Sequence, residues 1–140
     1  MMMARDLMTP SPATVMPGTS LGEAWDLMRE LDVRHLPVVE RGALVGMLSD
    51  RDLAYLDLGR TLAAEGADAV RRALARPVVE VMSSDVVGID VDAELGDVID
   101  LLLEYRIGAI PVTRSDTREL VGIISYIDVL RVLRDVVEER

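Results

Sequence analysis

The 140-residue chain contains no cysteine, lysine, asparagine, glutamine or phenylalanine. The lack of cysteine excludes a disulfide framework, a thiolate metal site and a cysteine nucleophile, and leaves the redox compartment open. All 15 basic residues are arginine, against 25 acidic residues, for a formal net charge of −10. That balance opposes non-specific attachment to nucleic acid or anionic lipid. No apolar run approaches the roughly 20 residues needed to span a bilayer, and the apolar part of the Met1-Met2-Met3 start is too short for a signal peptide. The expectation is a cytoplasmic protein with neither membrane nor nucleic acid as partner. A catalytic constellation is also missing. The single histidine, His35, has no evident triad partner, and neither a Gly-rich phosphate loop nor a metal-spaced His/Glu cluster occurs. The chain therefore reads as a non-enzyme that requires no cofactor.

What is present is a repeat. Gly46-Met47-Leu48-Ser49-Asp50-Arg51-Asp52 is written again as Gly122-Ile123-Ile124-Ser125-Tyr126-Ile127-Asp128. Upstream, Met8 and Met82, Leu21 and Leu95, Asp26 and Asp100, and Pro37 and Pro111 are each 74 apart (82 − 8). The offset becomes 76 at the glycines (122 − 46), so two extra residues sit between Val112 and Gly122. A turn is where added length costs little. Each seven-residue stretch reads as a strand running into a helix. The serine oxygen can accept a first-turn N–H, and the aspartate can reach back to the cap. The same helix start favours a phosphate, so capping and ligand binding call on the same atoms.

The rest of the chain follows this plan twice. Residues 13–16 and 86–89 read as short strands, after a lead-in whose prolines Pro10, Pro12 and Pro17 exclude a helix. Ser20-Leu21-Gly22-Glu23 fits a capping box, with Thr19 as the other possible cap, and Asp92 can cap the second copy. The following helices bury Leu21, Ala24, Met28 and Leu31, and Leu95, Val98, Ile99 and Leu102. Residues 36–39 and 43–48 read as strands around a tight hairpin at Arg41-Gly42, and 109–113 and 119–125 as their counterparts. Residues 50–58 should be helical and end near Gly59. A second helical segment over 61–76 has Gly66 as its weak point and Pro77 as its stop. The last helix, from about Tyr126 to Glu138, sets Val129, Leu130, Leu133, Val136 and Val137 on one face, either over its own domain or against another subunit. A lone copy of roughly 50–60 residues is marginal by surface-to-volume scaling, so the two are expected to share a core.

This order of residues resembles the cystathionine-beta-synthase (CBS) domain, in tandem as the Bateman module. The resemblance rests on Asp6-Leu7-Met8-Thr9, Arg34-His35-Leu36-Pro37-Val38-Val39 and the stretch from Gly46 to Asp52. In the second copy it rests on Val81-Met82-Ser83, Gly108-Ala109-Ile110-Pro111-Val112 and the stretch from Gly122 to Asp128. It implies an α/β (α+β) fold of two repeats, each a small three-stranded sheet with packed helices, related by pseudo-two-fold symmetry. The expected divisions are residues 4–58 for the first repeat, 59–77 for a helical linker, and 78–140 for the second repeat with its extended C-terminal helix.

The resemblance further implies up to two adenosine-nucleotide sites in a cleft between the repeats, for AMP, ADP or ATP, with magnesium where the ligand is ATP. One site would use Asp128 and Ser125 with Arg34, His35 and the strand entry near Ala13. The other would use Asp52 and Ser49 with Gly108, Ala109 and the entry near Val87. The aspartates would accept from ribose hydroxyls, and the serines and helix starts would take phosphate. Arg34 and His35 supply charge that Gly108 and Ala109 do not, and Arg51 partly redresses this, so unequal affinities are expected. By this reading the chain is an energy-sensing regulatory module that works as a homodimer on an unidentified regulated protein. The alternative is a protein-interaction or dimerisation scaffold with vestigial clefts, in which Asp52 and Asp128 are caps, Arg34 and Arg51 are solvated charges, and His35 is a strand-edge residue.

Overall fold

A computed structural model describes residues 1–139. Backbone contacts divide the chain into two compact units that cut across the sequence repeats. The carboxy-terminal unit comprises residues 1–12, 42–44 and, among the described residues, 87–139, and the amino-terminal unit residues 13–41 and 45–86. Each has its own apolar core. Each core draws on both sequence copies, as expected of copies that share their packing: Ala4 and Leu7 join Val98 and Ile110 in one, and Val78 joins Leu21 and Leu36 in the other.

In the amino-terminal unit, helix α2 (Leu21–Leu31) begins at Ser20, whose side chain accepts the Glu23 N–H at 3.1 Å. Ser20 is therefore the cap, and Thr19 Oγ1 instead accepts the Met16 N–H at 3.1 Å. Leu21, Ala24 and Met28 are buried against Leu36 and Val38 of strand β2 (His35–Glu40) and Leu48 of β3 (Ala43–Ser49). Leu31, expected on that buried face, is exposed. It is the last helical residue, and the chain leaves the helix through Asp32 in a left-handed conformation. Arg41 and Gly42 both have positive φ, 53° and 80°, as a two-residue turn matching strand twist requires. Buried and half-buried residues alternate along β3, the period-2 signature of a strand with one core face.

The helix after Ser49 is shorter than its sequence suggests. Helix α3 is Asp50–Ala54, and Asp57, with φ 48°, caps a new helix, α4 (Leu58–Glu65). Gly66 then separates α4 from α5 (Ala67–Ala75), so the weak point is a real break. The expected end near Gly59 fails because the Asp57 carboxylate accepts the Arg60 N–H and restarts the helix before the glycine is reached. Residues 13–16 form only one parallel bridge, Val15 to Val38, rather than a strand.

In the carboxy-terminal unit, α1 (Ala4–Leu7) and β1 (Thr9–Pro10) come from the chain start. β4 (Ile89–Asp90) runs parallel to β5 (Ala109–Arg114), and β5 is antiparallel to β6 (Glu119–Ser125). β1 also pairs with β6, Thr9 opposite Ile123. α6 (Leu95–Tyr105) and α7 (Tyr126–Glu138) complete the unit. Glu94, not Asp92, precedes α6, and its N–H is held by Asp97. Asp92 is engaged elsewhere, donating its N–H to Asp90 and pairing with Arg5.

The backbone repeats the sequence symmetry with exchanged lead-ins. Ala4 and Arg5 donate N–H groups to Ala93 and Val91, and Val78 and Val79 donate to Thr19 and Pro17 at the equivalent places. Met8, from the start of the chain, lies on Gly122, and Met82 lies on Gly46. The two inserted residues lengthen the β5–β6 turn, where Ser115 donates its N–H and O–H to Asp90 Oδ1 at 3.0 and 2.7 Å. These bonds hold the Asp90 carboxyl below its ordinary pKa. Arg118, in the same turn, donates to the Leu44 carbonyl.

Candidate functional site

Two strand-to-helix junctions carry the repeated serine and aspartate. Where β3 meets α3, Asp52 Oδ2 accepts the Ser49 N–H at 2.8 Å, and Ser49 Oγ accepts the Asp52 N–H at 3.2 Å. Where β6 meets α7, Asp128 Oδ2 accepts the Ser125 N–H at 2.8 Å and its O–H at 3.1 Å, and Ser125 Oγ accepts the Asp128 N–H at 3.3 Å. Both are reciprocal capping boxes, with aspartate in the place glutamate often takes. Both need only Oδ2. An ionised carboxylate is acceptor-only with about four lone-pair sites, so the second oxygen can still receive hydroxyl groups. At Asp128 this oxygen faces Arg131 Nη1 at 3.9 Å.

The residues before Leu-Pro-Val and Ile-Pro-Val are fixed against these helix starts. The Arg34 carbonyl accepts the Asp50 N–H at 2.9 Å, and the Gly108 carbonyl accepts the Tyr126 N–H at 3.1 Å. The amino-terminal unit thus brings Arg34 and His35 together with Ser49, Arg51 and Asp52, and also holds Ala13. The carboxy-terminal unit brings Gly108 and Ala109 together with Ser125 and Asp128, and holds Val87. Ala109 is buried, Arg34 and Arg51 are exposed, and Ala13, His35, Ser49, Asp52, Val87, Gly108, Ser125 and Asp128 are half-buried.

His35 stands among charges of both signs. Burial lowers its pKa, the Asp50 and Asp52 carboxylates oppose that shift, and Arg34 and Arg51 reinforce it. The folded imidazole is therefore neutral at a pH where an unfolded one, with its pKa at about 6.5, already takes a proton. Since the unfolded state binds more protons, stability falls as pH drops from about 6.5 toward the lowered folded pKa. Urea unfolding between pH 7.5 and 5.5 should show this slope, and His35→Gln should flatten it. An unchanged slope in the variant would place the titration elsewhere.

Two residues near these junctions escape a search for repeated motifs, because they differ between the copies. Arg131 lies one turn after Asp128, and Tyr55, 80% exposed, holds the corresponding place after Asp52. The helical i,i+3 spacing is the signal that marks Arg131 as a neighbour of Asp128. Beside α2 lies an open groove lined by Thr14, Met16, Thr19, Glu23, Asp26 and Glu30 among others, which no repeated motif marks. Its three carboxylates disfavour an anionic occupant. No cluster of histidine and acidic residues able to hold a metal ion occurs among the described residues, and none of their helices is long and apolar enough to cross a membrane.

The family model for the CBS domain matches twice, over residues 4–59 and 78–135. The CBS domain-containing protein YhcV of Bacillus subtilis is 39% identical over 124 residues, covering 89% of this chain and 80% of YhcV. Protein MJ1404 of Methanocaldococcus jannaschii is 28% identical over 133 residues, of which this chain spans only 31% of the length. Among solved structures, CBSX2 in complex with AMP superposes with a TM-score of 0.80 at 29% identity, covering 97% of this chain and 98% of CBSX2. The CBS domain pair of protein MJ0100, in complex with 5′-methylthioadenosine and S-adenosyl-L-methionine, gives 0.76 at 25% identity, covering 95% and 96%.

Proposed function

The chain belongs to the CBS-domain family as a tandem pair, and from that premise we propose that it is a cytoplasmic, non-enzymatic regulatory module for adenosine compounds. The observation that carries the reading is the pair of capping boxes in which aspartate uses one carboxylate oxygen and leaves the other for a ligand. Relatives of the same fold hold AMP in one case and 5′-methylthioadenosine with S-adenosyl-L-methionine in another, and adenosine is the group these ligands share. Asp52 and Asp128 accept from its ribose hydroxyls, which suits an acceptor-only group. Ser49 and Ser125 stand at the helix starts, where a phosphate is favoured. Helix α7 runs 13 residues while α3 runs five, so the Ser125 end has the fuller dipole behind it.

A ligand shifts the module only by its differential affinity for two conformations. The readout is a homodimer acting on a regulated protein. Leu130, Leu133, Val136 and Val137 of α7 are all exposed, which supports pairing with a second copy. The same exposed face favours the scaffold reading, in which the aspartates serve as caps alone.

Thermal unfolding with AMP, ADP, ATP, GTP and S-adenosylmethionine separates the two. A ligand at about a hundred times its dissociation constant stabilises by roughly 2.7 kcal/mol, and a chain of this size gains roughly 2–4 °C per kcal/mol. A rise with an adenosine compound and none with GTP is the expected result. No rise with any of them at millimolar concentration would leave the scaffold.

A further inference from the structure

We infer that Arg131 is a specificity-determining residue: it neutralises Asp128 while that carboxylate is free, and turns to the phosphate when a phosphorylated adenosine compound occupies the site. The inference rests on the reading that Asp128 receives the ribose, and adds which class of adenosine ligand this copy prefers. Its basis is the use of the two carboxylate oxygens. Oδ2 is committed to Ser125 through two hydrogen bonds, and only Oδ1, the oxygen a ribose would need, is shared with a cation. At 3.9 Å, with the arginine side chain 68% exposed and the aspartate 20%, the pair is loose. Such a pair contributes little to stability and is readily exchanged.

Ribose hydroxyls arriving at Oδ1 displace the guanidinium without leaving a buried charge behind. The released fork then has an anion within reach, since ribose and phosphate belong to one ligand, and arginine pairs with phosphate through two parallel N–H donors. A nucleoside without phosphate must displace the same guanidinium and gives it nothing in return. The Asp52 copy has no such device, because Tyr55 stands in the equivalent position.

The test is calorimetric titration with AMP and with adenosine in an Asp52→Asn chain, so that the Asp128 copy is the tighter of the two and is read first. AMP should bind at least about tenfold more tightly than adenosine, the scale of a hydrogen bond to a charged group, and the ratio should narrow as salt is raised. Adding Arg131→Gln should cut that ratio severalfold, to what the helix start alone supplies, while adenosine affinity holds or improves, since Oδ1 is then uncontested. An AMP-to-adenosine ratio unchanged by Arg131→Gln, in a chain where Asp128→Asn still weakens binding at least about tenfold, overturns the inference and spares the ribose reading. Failure of both compounds to bind, or binding indifferent to Asp128→Asn, overturns the ribose reading and the inference together.

Discussion

Replacing Gly122 by alanine is expected to destabilise the protein by about 1–3 kcal/mol, the range for forcing extra volume into a packed site. A Cβ at Gly122 would overlap Met8 Sδ and lie 2.8 Å from its Cγ and 3.0 Å from its Cβ. Cβ is bonded directly to the backbone of a segment pinned by the Thr9 and Ile123 pairing and cannot swing aside, and Cγ moves only if the whole side chain changes rotamer. Truncating Met8 to alanine as well should remove the Sδ and Cγ overlaps and leave only the Cβ approach at 3.0 Å. Met8→Ala alone loses half-buried packing, so its cost should fall at or below the low end of the roughly 2–5 kcal/mol for fully buried methionine. The double variant should then cost clearly less than the two singles together, since residues in contact couple. Urea unfolding of the four proteins measures this, and simple additivity would mean that the glycine is required for some other reason. At Gly46 the nearest atoms are Met82 Sδ and Cε, at the movable end of the side chain, and the Ser83 carbonyl at 3.0 Å. Gly46→Ala should therefore cost less.

The same glycines show what the sequence could and could not announce. Gly46 and Gly122 stand out in the repeat, yet nothing in the order of residues says that the methionine covering each comes from the other repeat. The offset of 74 pairs Met8 with Met82 as equivalents, and the exchange of lead-ins appears only once Ala4 and Val78 are seen donating to Ala93 and Thr19. Strands β2, β3, β5 and β6 and the full length of α7 were legible because alternation and a cap fix them locally. The break at Asp57 was not. It depends on one aspartate adopting a left-handed conformation to cap a new helix, an option open to aspartate that leaves no periodic trace. Residues 13–16 read as a strand because their apolar pattern suits one, but a single parallel bridge at Val15 is all the ladder they form. At the candidate site, symmetry exposed Ser49, Asp52, Ser125 and Asp128 and hid Arg131, which has no counterpart to repeat.

Asp128→Asn is expected to weaken adenosine-ligand binding by roughly 1.5–3 kcal/mol, the value of a hydrogen bond to a charged group, while leaving stability nearly unchanged. The distinction follows from the two oxygens. The cap needs one acceptor for the Ser125 N–H at 2.8 Å, and an asparagine carbonyl supplies it. The other position becomes an NH₂, a donor where the ribose hydroxyls require an acceptor. Asp128→Ala removes both functions, so it should also cost about 1 kcal/mol of stability as a lost cap. Chemical unfolding and ligand titration on the same two variants decide between capping and binding. If asparagine binds AMP as the wild type does while alanine does not, the aspartate matters to the ligand only through the shape of the helix start, and its charge plays no part. If asparagine loses binding at unchanged stability, the free carboxylate oxygen is the ligand's acceptor and the capping box is the frame that aims it.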